Sequence, residues 1–413
     1  MLKLYISLSF FFHFFTSLFL KIRVIKNKED PKRYQEKLGC YSIKNEHKTI
    51  WFHASSLGEI KSIIPLIDYY STKISKKILI TTVTTSSAEY CKNIFNNNSQ
   101  VIHQYAPLDT PQIVKKFLHH WKPDVAIFVE SELWPNLIFQ SKPLSKLILL
   151  NTRLSKKSFK RWSFAKTFAK KIFGRFDSIS CQSQEAKIFL EYFNIYNVNY
   201  FGNLKFISHK ETALSNKFIF NKSVDNTWVA MSTHEGEEEF VIQTIKNIKS
   251  KNVSSQCILI PRHISRVKKI TELLNQHNFT WQLKSSKEVN ESQSDIFILD
   301  TYGEAKEIFK KINIVFLGGS IIPHGGQNPL EAASEGCLIF HGPNVSNFKE
   351  IYEFLQENKI SLPIASPEEL SQELIKRFSK TFNNDDFKII IKQKSEKILL
   401  DHINYLNSFI IKE

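Results

Sequence analysis

The sequence predicts an α/β protein: two halves of similar size, each a parallel sheet covered by helices, with an apolar membrane helix ahead of them. Three observations carry this. Short runs that are apolar on both faces recur along the chain, as strands buried on both sides of a parallel sheet are. Helix-length segments separate them, which is βαβ alternation. The alternation lapses once near the middle and then restarts. A chain of 413 residues accommodates such a pair at ~150 residues per domain.

Residues 2–20, LKLYISLSFFFHFFTSLFL, are almost wholly apolar and long enough to cross ~30 Å of hydrocarbon. Residues 21–28 carry cations and no acid, which by the positive-inside rule keeps everything after them in the cytoplasm. No small-residue cleavage site follows, so an anchor over 1–22 is expected rather than a removed signal. His13, polar amid the run, leaves a helix lying in one leaflet as the alternative. A first domain is expected over 36–206, with strands at 49–54, 77–84, 101–107, 124–130, 147–153, 178–183 and 198–202. Residues 207–226, polar and without strong periodicity, read as a linker. The second domain runs over 227–413, with strands at 227–232, 256–262, 295–300, 313–319 and 337–343, then lysine-rich terminal helices.

Lys and Arg total 56 against 40 Asp and Glu, a net charge of +16, which favours an anionic partner. The cations are spread along the chain with no basic motif interleaved with aromatics, so nucleic acid is not the expected partner. The five cysteines are scattered and none forms a C-x-x-C pair, which argues against a disulfide framework or zinc site and for a reducing compartment. His53, His234, His263 and His324 lack metal-ligand spacing, so neither metal nor cofactor is expected.

In open α/β sheets ligands sit at the carboxyl ends of strands, so the strand-end loops are where chemistry is sought. In WFHASSLGEI, Ser55 and Ser56 suit a helix N-cap, Gly58 permits a tight turn, and Glu59 falls in the first helical turn. Glu59 there is either a plain cap or a carboxylate able to take a proton from a hydroxyl. FVESELWPN ends a strand in two acids, Glu130 and Glu132. NTRLS places Arg153, and GNLKF places Lys205, just past strands. In the second half, STHEGEEE, with Ser232 and His234, reads as a helix start facing a phosphate. PRH puts Pro261 and Arg262 at a strand end, where a guanidinium grips phosphate bidentately. DTYGE supplies Tyr302, Gly303 and Glu304. LGGSIIPHGGQNPLEAA gathers Gly318, Gly319, Ser320, Gly325 and Gly326, a glycine-rich turn of the kind that cradles anions. It enters a helix with Asn328 as N-cap, Pro329 at the first position, then Leu330 and Glu331, the last placed to hold ribose hydroxyls.

WFHASSLGE, ESELWPN, NTRLS, GNLKF, STHEGEE, PRH and GGSIIPHGGQNPLEAA occur in this order after an N-terminal membrane segment. The chain in this respect resembles the 3-deoxy-D-manno-octulosonic acid (Kdo) transferases of lipopolysaccharide assembly, over about residues 1–345. The resemblance implies a GT-B fold, two Rossmann-like domains around a central cleft, with a C-terminal helix often returning to the first domain. It implies transfer of Kdo from CMP-Kdo to the lipid A precursor lipid IVA at the inner membrane, with inversion. It assigns the catalytic base to Glu59 and transition-state stabilisation to Glu130 (or Glu132) and Lys205. CMP would be held by Pro261, Arg262, Tyr302, Gly303, Glu304 and Asn328 to Glu331; Tyr302 departs from that family's methionine. The remaining alternative is another nucleotide-sugar-dependent GT-B glycosyltransferase acting on a membrane lipid.

Overall fold

The computed structural model describes residues 1–207, 226–286, 294–378 and 385–411. The expected linker, 207–226, lies outside the described residues apart from its two ends.

The chain divides into two compact units. The first holds a seven-stranded parallel sheet of β1 (Thr49–His53), β2 (Lys77–Thr82), β3 (Val101–Tyr105), β4 (Pro123–Val129), β5 (Lys146–Thr152), β6 (Ser178–Cys181) and β7 (Val198–Tyr200). Its order is β3-β2-β1-β4-β5-β6-β7. The second holds β8 (Thr227–Thr233), β9 (Gln256–Pro261), β10 (Trp281–Leu283), β11 (Ile296–Ile298), β12 (Ile314–Leu317), β13 (Leu338–His341) and β14 (Ser361–Pro363). Its order is β10-β11-β9-β8-β12-β13-β14. All twelve strands expected from the sequence are present; β10 and β14, both at sheet edges, are additional.

Strands buried on both faces explain the continuous apolar runs: every residue of β1, β6, β12 and β13 is buried. In the first unit Trp51 packs against Phe117 and Phe128, with its indole N–H donated to Thr81 Oγ1 at 2.8 Å. In the second, Phe240 stacks on Phe316.

Each sheet changes its direction of growth once, between β1 and β4 in the first unit and between β8 and β12 in the second. At such a switch point neighbouring strand-end loops diverge to opposite faces and leave a crevice.

The sequence reading gave the second domain everything from 227 to 413. The stretch from Ser395 onward instead packs with the first unit. Tyr70 Oη reaches it, donating to Ile403 O at 3.1 Å and lying 3.0 Å from Asn407 Oδ1. At the other terminus, Leu2–Ile25 is the single apolar helical stretch among the described residues long enough to cross a membrane, with mean hydropathy 1.5. It comprises helices Leu2–Phe12 and Thr16–Ile25 joined by a 3-10 turn at His13–Phe15.

Candidate active site

The first switch point gathers carboxylates. β1 ends at His53, and Ser56 caps helix Leu57–Lys73. Ser56 Oγ accepts the Glu59 N–H at 3.4 Å, while Glu59 Oε2 accepts the N–H groups of Ser55 at 2.6 Å and Ser56 at 3.3 Å. This is a reciprocal capping box. The expected tight turn at Gly58 does not form. Gly58 lies within the first helical turn, and a Cβ built on it meets nothing within 4 Å. The glycine leaves open space above the helix start.

β4 delivers the other two acids. Glu130 is buried and adopts a left-handed backbone, φ 57°. Its N–H donates to Leu150 O at 2.9 Å, and its Oε1 lies 2.7 Å from Lys205 Nζ. Lys205 is brought there by a 3-10 turn, Leu204–Phe206, held through Leu204 N–H to Asn151 Oδ1 at 3.0 Å. Glu132 Oε2 accepts the Trp134 indole N–H at 2.6 Å and lies 3.3 Å from His53 Nε2. His53 Nδ1 in turn meets Thr81 Oγ1 at 2.9 Å. Arg153 is adjacent, since its carbonyl accepts the Ser131 hydroxyl at 3.0 Å.

The electrostatics separate these acids. Burial pushes the Glu132 carboxyl up, but hydrogen bonds from His53, Ser55 and Trp134 and the charge of His53 outweigh it and leave it at about 2. Burial, then the charges of Glu132 and Glu130, push Glu59 up to about 7 against the pull of the Ser56 and Ser55 N–H groups. Acids driven apart in this way are the usual arrangement for assigning one of them a proton-transfer role.

The second switch point differs from the sequence expectation. β8 passes through Ser232 with φ 57°, and Gly236 precedes helix Glu237–Ser250. The first helical residue, Glu237, is fully buried. It accepts the N–H groups of His234 at 3.0 Å, Gly319 at 2.6 Å, Ser320 at 3.0 Å and Ile321 at 3.0 Å. The amides at 319–321, expected to cradle an anion, are committed to a protein carboxylate. Gly318 is required by that closeness: a Cβ there would stand 2.7 Å from Ser232 O and 2.8 Å from Glu237 Oε2. Ser320 is buried, its hydroxyl bonded to Leu317 O and to Gly342 N–H. Glu237 escaped the sequence reading; its one signal was an acid directly after the glycine before a helix.

Around this clamp, His234 lies between two other histidines, with ring centroids 4.3 Å from His324 and 6.4 Å from His263. Pro261 is buried and Arg262 exposed, with the Arg262 N–H donated to Thr233 O at 3.1 Å. Tyr302 and Gly303 are exposed, but Glu304 is buried and bonded to Lys284 and Thr301, so its side chain faces the protein. Gly325 and Gly326 both take positive φ. The helix at Asn328 starts one residue later than expected, as Leu330–Ser334 with Pro329 at the cap position. Asn328 Oδ1 accepts the Leu330 N–H at 3.1 Å, and Glu331 is exposed.

Comparison with known proteins agrees with this architecture. Two solved structures show the fold alone: a UDP-GlcNAc 2-epimerase from Neisseria meningitidis (TM-score 0.60, 11% identity, 89% of this chain and 100% of that one) and a glycosyltransferase from Rickettsia africae (TM-score 0.58, 12% identity, 89% and 100%). They make the class GT-B. The 3-Deoxy-D-manno-octulosonic-acid transferase (kdotransferase) family matches residues 32–208. The chain is 32% identical over 422 residues to the 3-deoxy-D-manno-octulosonic acid transferase of Rickettsia bellii, covering 99% of this chain and 100% of that one. It is 34% identical over 370 residues to a probable mitochondrial 3-deoxy-D-manno-octulosonic acid transferase of Arabidopsis thaliana, covering 86% and 82%. The chain thus belongs to the 3-deoxy-D-manno-octulosonic acid transferases and is a glycosyltransferase.

Proposed function

We propose that this enzyme transfers Kdo from CMP-Kdo to the lipid A precursor lipid IVA, at the cytoplasmic face of the inner membrane, with Glu59 as general base. The observation that carries the reading is the Glu59 carboxyl, raised to about 7 at a helix start beside two engaged acids. A sugar hydroxyl is a poor nucleophile at neutral pH, and a base poised near 7 takes its proton as the new bond forms. In one displacement the acceptor oxygen bonds to the anomeric carbon, its proton passes to Glu59, and the bond to the CMP phosphate oxygen breaks. The electron pair leaves with CMP, and the anomeric configuration inverts.

Lys205, steadied by Glu130, supplies positive charge near the base, where charge shifts during transfer. Glu130 and Glu132 keep Glu59 basic. In the second unit Arg262 is the group suited to the phosphate, being exposed and without a side-chain partner among the described residues. Pro261, Tyr302, Gly303 and the segment from Asn328 to Glu331 would shape the nucleotide site. The net charge of +16 suits both an anionic nucleotide sugar and an anionic lipid.

The test is to incubate purified protein with CMP-Kdo and lipid IVA and read the product lipid by mass spectrometry. One or more added Kdo units are expected, with a rate drop of about 10²- to 10⁴-fold for Glu59→Gln. Absence of a Kdo-lipid, or full activity in that variant, would reject the proposal.

A further inference from the structure

The N-terminal helical stretch carries its polarity inside out. Tyr5, Ser9, His13, Thr16 and Leu20 recur at helical spacing and face the first unit. Tyr5 Oη donates to Asp109 Oδ2 at 2.8 Å, Asn136 Nδ2 donates to Ser9 Oγ at 2.9 Å, and His13 Nδ1 lies 3.3 Å from Thr110 Oγ1. At the far end Arg23 Nε donates to Glu29 at 2.7 Å, and the buried Glu29 also accepts from Lys37 at 2.5 Å. The opposite row is apolar: Leu4, Leu8, Phe11, Phe15 and Leu18 are each at least 60% exposed. A helix that serves only a water-soluble fold turns its apolar face inward. This one does the reverse.

We propose that the helix lies flat in one leaflet of an anionic bilayer and does not cross it. Length does not decide the matter, because the 24 residues rise about 36 Å at 1.5 Å each, enough to span. The contacts decide it. The fixed points from Tyr5 to Arg23 extend about 27 Å along the axis, nearly the full hydrocarbon thickness. A crossing helix would drag Asp109, Asn136 and Glu29 into hydrocarbon or strip them of partners, and hydrocarbon offers no replacement hydrogen bonds. A helix in the plane keeps every one of these bonds and sinks its outer row about 5–10 Å below the headgroups. Lys3, Lys21, Lys26 and Lys28 are exposed and residues 1–28 contain no acid, which matches an anionic headgroup layer. The inference rests on the membrane attachment proposed above, but its readout is depth, which does not depend on sugar transfer.

The test uses the full chain with Cys40→Ser, since the other four cysteines are buried. Single cysteines replace Leu4, Leu8, Phe11, Phe15, Leu18 and Ile22 in turn and carry a nitroxide; all six point away from the domain, so the fold contacts stay intact. The protein is bound to vesicles of phosphatidylethanolamine and phosphatidylglycerol, and label depth is read from relative accessibility to oxygen and a nickel chelate. All six labels are expected at one shallow depth, about 5–10 Å below the headgroups. A depth that runs from one headgroup level at Leu4 through the bilayer centre to the opposite level at Ile22 overturns the proposal. So do labels that stay water-accessible with vesicles present, and labels shielded by spin–spin contact with a second copy before lipid is added. Kdo transfer assayed on the same samples separates failure of this geometry from failure of the transferase reading.

Discussion

Lys205 Nζ lies 2.7 Å from Glu130 Oε1, and Glu130 holds that position in a left-handed backbone conformation, φ 57°. Asn151 at the end of β5 and Ser232 at the end of β8 share this conformation, with φ of 54° and 57°. In Glu130 and Ser232 it costs on the order of 1–3 kcal/mol, whereas an asparagine adopts it more readily.

Lys205→Met should leave the Glu130 carboxylate buried and without its cation. Breaking such a pair from one side costs about 3 kcal/mol, whereas removing both charges costs much less. In denaturant melts the Lys205→Met, Glu130→Gln double variant should therefore be more stable than the sum of the single losses indicates. Strict additivity would show that the pair is not coupled.

The Glu59 carboxyl titrates near 7 in the fold, against 4.5 without its surroundings. In the proposed mechanism its ionised form is the base, so kcat/KM should rise with pH through about 7. Glu132→Gln removes the neighbouring charge that raises Glu59 more and should move that rise to lower pH. A profile that stays put in this variant would assign the limb to another group.

The same shift predicts a stability change. Between pH 4.5 and 7 the folded state keeps a proton that the unfolded chain has lost, so this group's contribution falls as pH rises through that window. Glu59→Gln keeps an acceptor for the capping box. It should melt above the parent at pH 8 and together with it at pH 4.

Gly58→Ala should raise stability by about 0.5–1 kcal/mol, because glycine in a helix is costly and the new methyl meets no atom. Activity should fall all the same if the acceptor passes over this helix start. A variant that gains stability and keeps full turnover would place the acceptor elsewhere.

Glu237→Ala would leave four amides without their acceptor, each such buried loss costing about 1–3 kcal/mol. The expected result is early loss of hydrogen-exchange protection at Gly319, Ser320 and Ile321. Persistent protection there would mean that the loop holds itself.

Strands buried on both faces were legible because burial demands unbroken apolar runs. β10 and β14 were not: each is three residues at a sheet edge, where half-exposure removes that demand. Glu59 was legible as a residue but not as an unusually weak acid, since that follows from its burial and from the charges of Glu132 and Glu130, more than seventy positions along the chain. The engagement of the first amides of the glycine-rich loop was hidden for a related reason. Its glycines were visible, but the partner that absorbs its amides, Glu237, is about eighty residues away and looks in sequence like one more acid in an acidic helix start.

The inverted polarity of the first helix bears on how a water-soluble form of this enzyme would be made. Cutting the helix off removes the Tyr5 phenol from Asp109 and the Ser9 hydroxyl from Asn136, and opens the wall of the domain beneath. Keeping it and replacing Leu4, Leu8, Phe11, Phe15 and Leu18 with glutamate or lysine alters only the side facing away from the domain. If the helix is attached to a bilayer as proposed, these changes should abolish vesicle binding while the fold stays as it is, so that solubility becomes a question of surface rather than of chain length.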